Sequence, residues 1–294
     1  EVTRGQWEAA GLFDRSVNQG SADLPVTNIS WFEAMYYANT LSASHGFVPC
    51  YTFVGCSGEY DDLNQCSGVR YQRANGTPMD HPGECDGYRL PTEAEWEFTA
   101  RAGSLGLFHT YMDGDQEMTV DDALPLQDCT LNTSELSEIA NYCGSNTPQA
   151  VESIGSRGAN EWGLYDVSGN VSEWVGELYM GYDVNSVYEP FVGSMFEGIN
   201  SEDVQVSVRG GSFVSNGAVC RLANRDFANP HHLDAETGFR LVKSVKFQGT
   251  ESTGFISYNF QPDTMLVNID GSFADDDGVA GVYLKFAWEG EDLT

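Results

Sequence analysis

The stretch from Asn160 to Trp174 reads NEWGLYDVSGNVSEW, and it says more about the fold than any other part of the chain. It combines aromatic residues, two glycines and several carboxylate or amide side chains, without the period of a helix or a strand. A run of this kind is typical of a loop that specific contacts hold in place. Closely spaced oxygen ligands are also what a hard cation such as Ca²⁺ requires. The stretch therefore predicts an ordered loop with the composition of a calcium site.

Three other runs surround this one: Gly87 to Glu97 (GYRLPTEAEWE), Arg209 to Phe213 (RGGSF) and Thr237 to Val242 (TGFRLV). Together, and in this order, the four runs resemble the formylglycine-generating enzyme (sulfatase-modifying factor) family, and the likeness covers most of residues 1–243. The resemblance implies an α+β domain that is loop-rich and C-type-lectin-like, with little regular secondary structure. Glu1 to Trp7 resembles the end of an early strand of that family, so we expect a mature or trimmed form.

The charge of the chain narrows the choice of partners. The formal net charge is −30, from 44 acidic and 14 basic residues. Such a charge repels polyanions and argues against nucleic acid or an anionic membrane as the partner. No apolar run is long enough to span a bilayer. We therefore expect a protein or glycan ligand, or self-assembly, with no nucleic acid and no membrane span.

The seven cysteines indicate an oxidising compartment. Four of them bracket an insertion at about residues 50–86 that is rich in Gly, Asp and Asn and poor in apolar residues. Such loops are typically stapled by disulfides in secreted proteins. A zinc site built from four cysteines would need short paired spacings such as C-x-x-C, and none is present. We favour disulfides, and hence a secreted, periplasmic or cell-surface location.

Spacing alone does not fix which cysteines pair. Our pairing hypothesis joins Cys50 to Cys85, Cys56 to Cys66 and Cys129 to Cys143, and it leaves Cys220 as a buried free thiol.

Capping signals predict two helices. Ser30 and Glu33 form a capping box that opens a helix through about His45, and Thr92 with Glu95 opens a second helix that Gly103 closes past Arg101. We expect Trp96 and Phe98 of this second helix to pack in the core. Short strands are expected at Val204 to Arg209 and at Phe239 to Val245.

The family domain should end near residue 243, which leaves residues 244–294 as an acidic C-terminal extension. Ser257 to Phe260, Thr264 to Ile269 and Val279 to Trp288 are rich in β-forming residues and predict a small β appendage. It either folds back on its own domain or pairs with a neighbouring chain and builds a ring or filament. Asp275 to Asp277 lacks the full spacing of an EF-hand loop, so we read it as an exposed turn.

By resemblance, active members of the family hold copper with two cysteines after the Arg-Gly-Gly-Ser run. The first thiolate position falls on Ser215 and the second on Cys220, and a substrate-gripping aromatic is replaced by Val219. Cu(I) selects thiolates, and a serine hydroxyl is a poor substitute. We therefore do not expect copper or oxidase activity.

Other catalytic arrangements are equally poorly supported. The five histidines are too scattered to show a metal triad, and no nucleophile elbow, phosphate-binding loop or dinucleotide fingerprint is present. If the chain is an enzyme, Cys220 and Ser212 are its candidate catalytic residues. Without an identified base, we interpret Ser212 as structural.

The resemblance also implies calcium. One Ca²⁺ of the family would be held here by the Asp166 side chain, the carbonyls of Gly169 and Val171, and Glu173. A second family site would use Asn141 and the carbonyl of Tyr142. The acidic stretch that completes this second site is shortened between Cys143 and Val151. We therefore expect the chain to bind one Ca²⁺.

Three functions stay open: a non-catalytic binding or structural module, a formylglycine-generating oxidase, and a diversified lectin-like receptor. We favour the first. The binding surface would lie between residues 213 and 231 and use the following side chains: Phe213, Ser215, Asn216, Arg221, Arg225, Asp226 and His231.

Overall fold

The computed structural model describes residues 1–17, 20–73, 75–79, 81–113, 116–119, 126–129, 134–145, 149–181, 204–246 and 282–285. Short helices and strands separated by long loops confirm the predicted α+β, loop-rich class. The α-helices in this part of the chain are α1 (Arg4–Ala9), α2 (Trp31–Ser44), α3 (Glu93–Arg101) and α4 (Ser134–Ile139). Short 3₁₀-helices lie at Tyr60–Gln65 and Pro82–Glu84.

The strands are short and form four small sheets among the described residues. They are β1 (Tyr51–Val54), β2 (Gly68–Tyr71), β3 (Tyr88–Arg89), β4 (Tyr111–Asp113), β5 (Gln116–Met118), β6 (Ser172–Leu178), β7 (Val206–Arg209), β8 (Asp226–Ala228), β9 (Thr237–Phe239), β10 (Val242–Lys246) and β11 (Val282–Lys285).

Capping boxes set where the helices begin. Ser30 caps α2 and Thr92 caps α3, as predicted. A third box opens α1, because the Thr3 hydroxyl accepts from the Gln6 N–H at 3.1 Å and the Gln6 side chain accepts from the Thr3 N–H at 2.7 Å. Thr3 makes one β-bridge, to Pro25, before the helix starts. The early strand predicted for Glu1 to Trp7 is therefore wrong, because the cap turns the chain into a helix.

The four-stranded sheet brings the motifs together. Its strand order is β8-β7-β6-β9, with β6 antiparallel to β7 and parallel to β9. In this register Glu173 of β6 lies opposite Arg209 of β7 on one side and Gly238 of β9 on the other. Three motif runs that are far apart in sequence thus lie on adjacent strands.

Two tryptophans fix helix α2 against the sheet. The indole N–H of Trp31 donates to the Val175 carbonyl at 2.7 Å, and that of Trp174 donates to the Ile29 carbonyl at 3.1 Å. Both rings are buried in the largest apolar cluster. A buried indole satisfies its N–H only in a fixed orientation, so the pair holds β6 in register with the start of α2.

Helix α3 corrects one prediction. Trp96 is 1% exposed, whereas Phe98 is 59% exposed and lies edge-on to Trp162, with ring centroids 5.1 Å apart. Residues two positions apart on a helix do not share a face. Once Trp96 faces the core, Phe98 faces away from it.

The strand predicted from Phe239 to Val245 is divided in two. Strand β9 ends at Phe239 and β10 begins at Val242. Between them Arg240 directs its guanidinium into the domain and bonds the Glu173 carboxylate. Strand β9 therefore ends just before Arg240, whose side chain turns into the domain.

The disulfide hypothesis is confirmed. Bridges join Cys50 to Cys85, Cys56 to Cys66 and Cys129 to Cys143, and Cys220 is a buried free cysteine. The Cys50–Cys85 bridge closes the base of the insertion at 50–86, and the Cys56–Cys66 bridge closes a smaller loop inside it.

Within the extension, β11 pairs antiparallel with β10 of the same chain, and β10 in turn pairs with β3. The other predicted β segments, Ser257 to Phe260 and Thr264 to Ile269, and the Asp275 to Asp277 turn lie outside the described residues. None of the helices described in the structure is both long enough and apolar enough to cross a membrane.

Candidate functional site

Three of the four motif runs meet at the carboxylate of Glu173, which is wholly buried, and the fourth lies beside it, because Arg209 is opposite Glu173 in the sheet. The Arg240 guanidinium bonds it through two nitrogens, with Nε to Oε2 and Nη2 to Oε1 both at 2.6 Å. The indole N–H of Trp96, from α3, donates to Oε2 at 2.6 Å. Charge-assisted, two-pronged bonds of this kind are strong and geometrically specific.

Arg240 also orders the loop that precedes β6. Its Nη2 donates to the backbone carbonyls of Tyr165 at 3.0 Å and of Asp166 at 3.3 Å. The Glu173 carboxylate outweighs the effect of burial and raises the pKa of the guanidinium. A charged arginine is therefore a fixed part of the loop.

Two further carboxylates lie close to this pair. The Glu1 carboxylate accepts from the Asn170 side-chain amide at 2.7 Å and from the Val171 N–H at 3.1 Å, and Asp166 accepts from the Gly155 N–H at 2.7 Å. Burial, and then the charge of Asp166, raise the pKa of Glu1 well above its ordinary value. Burial also raises the pKa of Asp166.

Three carboxylates, those of Glu1, Asp166 and Glu173, lie near the Arg240 guanidinium and the N-terminal amine. Their oxygens are of the ligand type that Ca²⁺ prefers. Among the residues that the structure describes, no group of three or more His, Cys, Asp or Glu side chains is arranged to hold a metal. The predicted calcium set needs only two carboxylates and two carbonyls, but both Glu173 oxygens accept bonds from Arg240 and Trp96. A cation at Glu173 would therefore share or displace these bonds.

The backbone of the loop explains its unusual sequence. Asp166, Gly169 and Asn170 have φ of 56°, 80° and 61°, in the left-handed region. A Cβ on Gly169 would lie 2.1 Å from the Asn141 carbonyl oxygen, so glycine is required there. Asn and Asp tolerate this region better than other non-glycine residues.

The predicted second calcium pair is engaged within the protein. The Asn141 amide donates to the Ala150 carbonyl at 2.9 Å and to the Asn170 side chain at 3.1 Å. The hydroxyl of Ser145 lies 3.1 Å from Asn141 Oδ1 and 2.8 Å from the Tyr142 carbonyl. Both candidate ligand oxygens therefore face the same serine hydroxyl.

The Arg-Gly-Gly-Ser run ends β7 and forms a tight turn over Cys220. Arg209 is 1% exposed, donates to the Leu222 carbonyl at 2.9 Å and stacks over Trp96 at 5.1 Å. A Cβ on Gly211 would lie 2.9 Å from the Cys220 sulfur, and the φ of Gly211 is 71°. The second glycine is thus needed for the loop to close over the thiol.

Cys220 itself lies in an apolar environment. It is 0% exposed, and its cluster includes Phe108, Leu136 and Ile139. Burial raises the pKa of its thiol to about 12. A thiol of this kind is protonated at neutral pH and behaves as a small apolar side chain.

The other copper position, Ser215, is hydrogen-bonded to its neighbours. The Ser212 N–H donates to the Ser215 hydroxyl oxygen at 3.0 Å, and the two hydroxyls are 3.2 Å apart. The Ser212 hydroxyl donates to Glu236 Oε2 at 3.2 Å. Glu236 did not figure in the sequence prediction, because it is distant in the chain and belongs to no motif.

Only some of the residues predicted to form the binding surface are exposed. Phe213 is 8% exposed, so its ring is core and cannot contact a partner. Arg221 donates to the Ala218 carbonyl at 2.7 Å, and the His231 ring packs on Phe32 with centroids 5.0 Å apart. Ser215 and Asn216 are half-buried, and Asp226 is exposed.

Arg225 is the most firmly held residue of this surface. It bonds the buried Glu93 carboxylate through Nε at 2.5 Å and Nη2 at 2.7 Å, and it stacks on Tyr179 at 4.8 Å. Tyr179 in turn contacts Phe227, which is 45% exposed. The sequence analysis did not single out Glu93, Tyr179 or Phe227, since contacts across the sheet leave no local pattern.

The comparisons with known proteins agree with this geometry. A family model described as the sulfatase-modifying factor enzyme 1-like domain matches residues 2–245. The chain therefore belongs to the sulfatase-modifying factor (formylglycine-generating enzyme) family.

Relatives within this family differ in their named functions. The chaperone protein LppX of Paenibacillus barcinonensis is 25% identical over 245 residues, which cover 83% of this chain and 78% of the relative. The formylglycine-generating enzyme of Thermomonospora curvata is 30% identical over 159 residues, 53% of this chain and 49% of the enzyme. The chain thus spans about half the length of that enzyme. The structure of Treponema denticola variable protein 1 has a TM-score of 0.61 and 25% identity, covering 82% of this chain and 81% of that one.

Proposed function

We propose that this chain is a calcium-stabilised binding module that acts outside the cytoplasm and has no formylglycine-generating oxidase activity. The observation that carries the proposal is the state of the two copper positions. Ser215 supplies a hydroxyl in place of a thiolate, and Cys220 is a buried thiol whose pKa of about 12 keeps it protonated. Cu(I) binds thiolates, so neither position suits it.

The test is a copper titration of the purified protein with a cysteine-containing sulfatase peptide, followed by mass spectrometry. We expect no change in the peptide. Loss of its sulfhydryl with gain of an aldehyde would overturn the proposal in favour of the oxidase.

Two variants of Ser215 test whether the missing thiol, and not the rest of the fold, prevents copper binding. Ser215→Cys supplies the missing thiol and should raise Cu(I) affinity in competition with a chromogenic chelator, while Ser215→Ala should not. Wild-type binding as tight as that of Ser215→Cys would show that the hydroxyl does not prevent copper loading.

Calcium is proposed at Asp166, Gly169, Val171 and Glu173. The closeness of the Glu1, Asp166 and Glu173 carboxylates in this loop supports a cation there through their negative charge. Bound Ca²⁺ would offset this charge and stabilise the left-handed turns of the loop.

The ligand is proposed to be a protein or glycan bound by the side chains between residues 215 and 231, with Arg225 and Asp226 at the centre. The −30 charge supports a partner that is not itself polyanionic. Asp226→Ala should weaken binding to a glycan or protein array with little change in melting temperature, because Asp226 is exposed. Arg225→Ala should weaken binding and also lower the melting temperature, because it leaves the buried Glu93 carboxylate without this partner. Unchanged array binding in both variants would place the ligand elsewhere.

A diversified receptor is the second candidate. The likeness to Treponema denticola variable protein 1, at 25% identity over 82% of this chain, favours it. An adjacent repeat of the gene segment that encodes Phe213 to Arg240 would support it, and a genome without such a repeat would argue against it.

We propose that the C-terminal extension folds back on its own domain and does not build a ring or filament. Pairing of β11 with β10 of the same chain supports this arrangement. Deletion of Lys246 to Thr294 tests this point by light scattering. A wild-type oligomer that becomes monomeric on deletion would show assembly through the extension.

A further inference from the structure

Three oxygen-bearing side chains form a hydrogen-bonded chain where the family places its first copper thiolate. The Ser215 and Ser212 hydroxyls are 3.2 Å apart, and Ser212 lies 3.2 Å from Glu236 Oε2. The first serine is in the turn after β7, and the carboxylate immediately precedes β9. The sequence analysis set Ser212 aside because no base was apparent, and the fold supplies one.

The direction of the bonds along this chain is fixed by its acceptor end. A carboxylate can only accept, so the Ser212 hydroxyl donates to Glu236. A hydroxyl has one proton, and Ser215 must therefore be the donor to Ser212 across their 3.2 Å contact. The proton of Ser215 thus points along a path that ends on a base.

The surroundings of Ser215 favour negative charge on its oxygen. The backbone N–H of Ser212 donates to that oxygen at 3.0 Å. Ser212 is 1% exposed, whereas Ser215 is half-buried. Of the two residues, Ser215 is the more exposed, so its hydroxyl is the candidate for reaction with an external group. A hydroxyl joined to a base is the arrangement of an activated nucleophile.

We propose that Ser215 is a nucleophilic hydroxyl that accepts an acyl or phosphoryl group from an activated donor. The Ser215 oxygen forms the new bond to the carbonyl carbon or phosphorus, and the bond to the leaving group breaks with its electron pair. The Ser215 proton passes to the Ser212 oxygen as the Ser212 proton passes to Glu236. No electron acceptor is needed. The inference is independent of the loss of oxidase chemistry and adds a reactive group to the binding surface.

The experiment uses a fluorophosphonate probe on the intact protein, with adduct mass and position read by peptide mapping. We expect one adduct, on Ser215, with fluoride as the leaving group, and none in Ser215→Ala. Ser212→Ala and Glu236→Gln should label at least about tenfold more slowly, since a positioned base typically contributes about 10²–10⁴-fold. Ser145→Ala is the matched control. It removes a hydrogen-bonded serine that is not part of the Ser215–Ser212–Glu236 series, so it should label at the wild-type rate.

A structural role alone predicts a different result. It would lower the melting temperature of Ser212→Ala and Glu236→Gln but produce no adduct in the wild type. Absence of an adduct on Ser215, or equal rates in wild type and Glu236→Gln, overturns the proposal. The labelling rate of the wild type should fall more steeply than that of Glu236→Gln when the pH is lowered. The copper and aldehyde assays test the proposed function separately.

Discussion

The guanidinium of Arg240 and the carboxylate of Glu173 form a two-pronged ion pair inside the domain, with both nitrogen–oxygen distances at 2.6 Å. The Glu173 side chain is 0% exposed and that of Arg240 is 9% exposed. The pair joins β6 to the residue that follows the neighbouring edge strand β9. Trp96 of a third motif run bonds the same carboxylate, so loss of the pair should affect the packing of three motif runs.

Glu173→Gln should destabilise the domain strongly. Removal of one partner leaves a buried guanidinium without its counter-charge, which typically costs about 3–5 kcal/mol. Arg101→Gln is the control, because Arg101 and Glu97 form a solvent-accessible, partly exposed pair on α3, with each side chain 26% exposed. Such surface pairs contribute about 0–1 kcal/mol. Urea unfolding of both variants measures the difference, and equal losses would show that the Arg240–Glu173 pair is not a central contact.

Removal of calcium should lower the melting temperature. An ion at a hundred times its Kd contributes about 2.7 kcal/mol to the folded state. Excess EDTA should therefore destabilise the wild type, and added Ca²⁺ should restore it. Asp166→Asn should weaken this response while keeping the size of the side chain. A melting temperature that is the same with EDTA and with Ca²⁺ would rule out the site.

The disulfides should differ in their contribution to stability. Cys50 and Cys85 close a loop with a sequence separation of 35, against 10 for Cys56 and Cys66. In the chain-entropy model the longer loop is worth about 1 kcal/mol more, within a usual range of about 2–5 kcal/mol per bridge. Double serine variants of each pair, compared by chemical unfolding, test the order. A larger loss for the Cys56–Cys66 pair would show that native contacts, and not loop closure, dominate.

Acid should destabilise the domain through His109. This ring is 1% exposed, and burial lowers its pKa to about 4. The unfolded chain takes up the proton near pH 6.5, so stability is lost as the pH falls from about 6.5 through about 4, by up to about 3 kcal/mol. His109→Phe should lose less stability than the wild type between pH 7 and pH 4.5 in urea melts.

The control for this prediction is His45→Phe, because His45 is exposed. That variant should keep the full pH dependence of the wild type. If His109→Phe keeps it as well, the acid sensitivity belongs to the carboxylates.

Local signals predicted helices α2 and α3 but not α1 or α4. The capping boxes at Ser30 and Thr92 place the start of α2 and α3 as observed. The same signal stands at Thr3 and Gln6, whereas the interpretation of that segment relied on its resemblance to a family strand, which is wrong. A capping box acts within four residues, so it is readable from sequence even where the wider pattern misleads. Phe98 was misplaced for the opposite reason, since its exposure depends on which face of α3 meets the sheet.

The sequence by itself determined the family, and it indicated the ordered loop at 160–174, a disulfide-bonded insertion and the replacement at Ser215. These follow from residue types and their order along the chain, which can be read without the contacts made in space. Only the tertiary structure decided that Arg240 pairs with Glu173, that Arg225 is held by Glu93, and that Ser215 connects through Ser212 to Glu236. Each of these contacts joins segments that the sheet register brings side by side. The free energy of a buried charge depends on what lies opposite, and no local pattern in the chain records this.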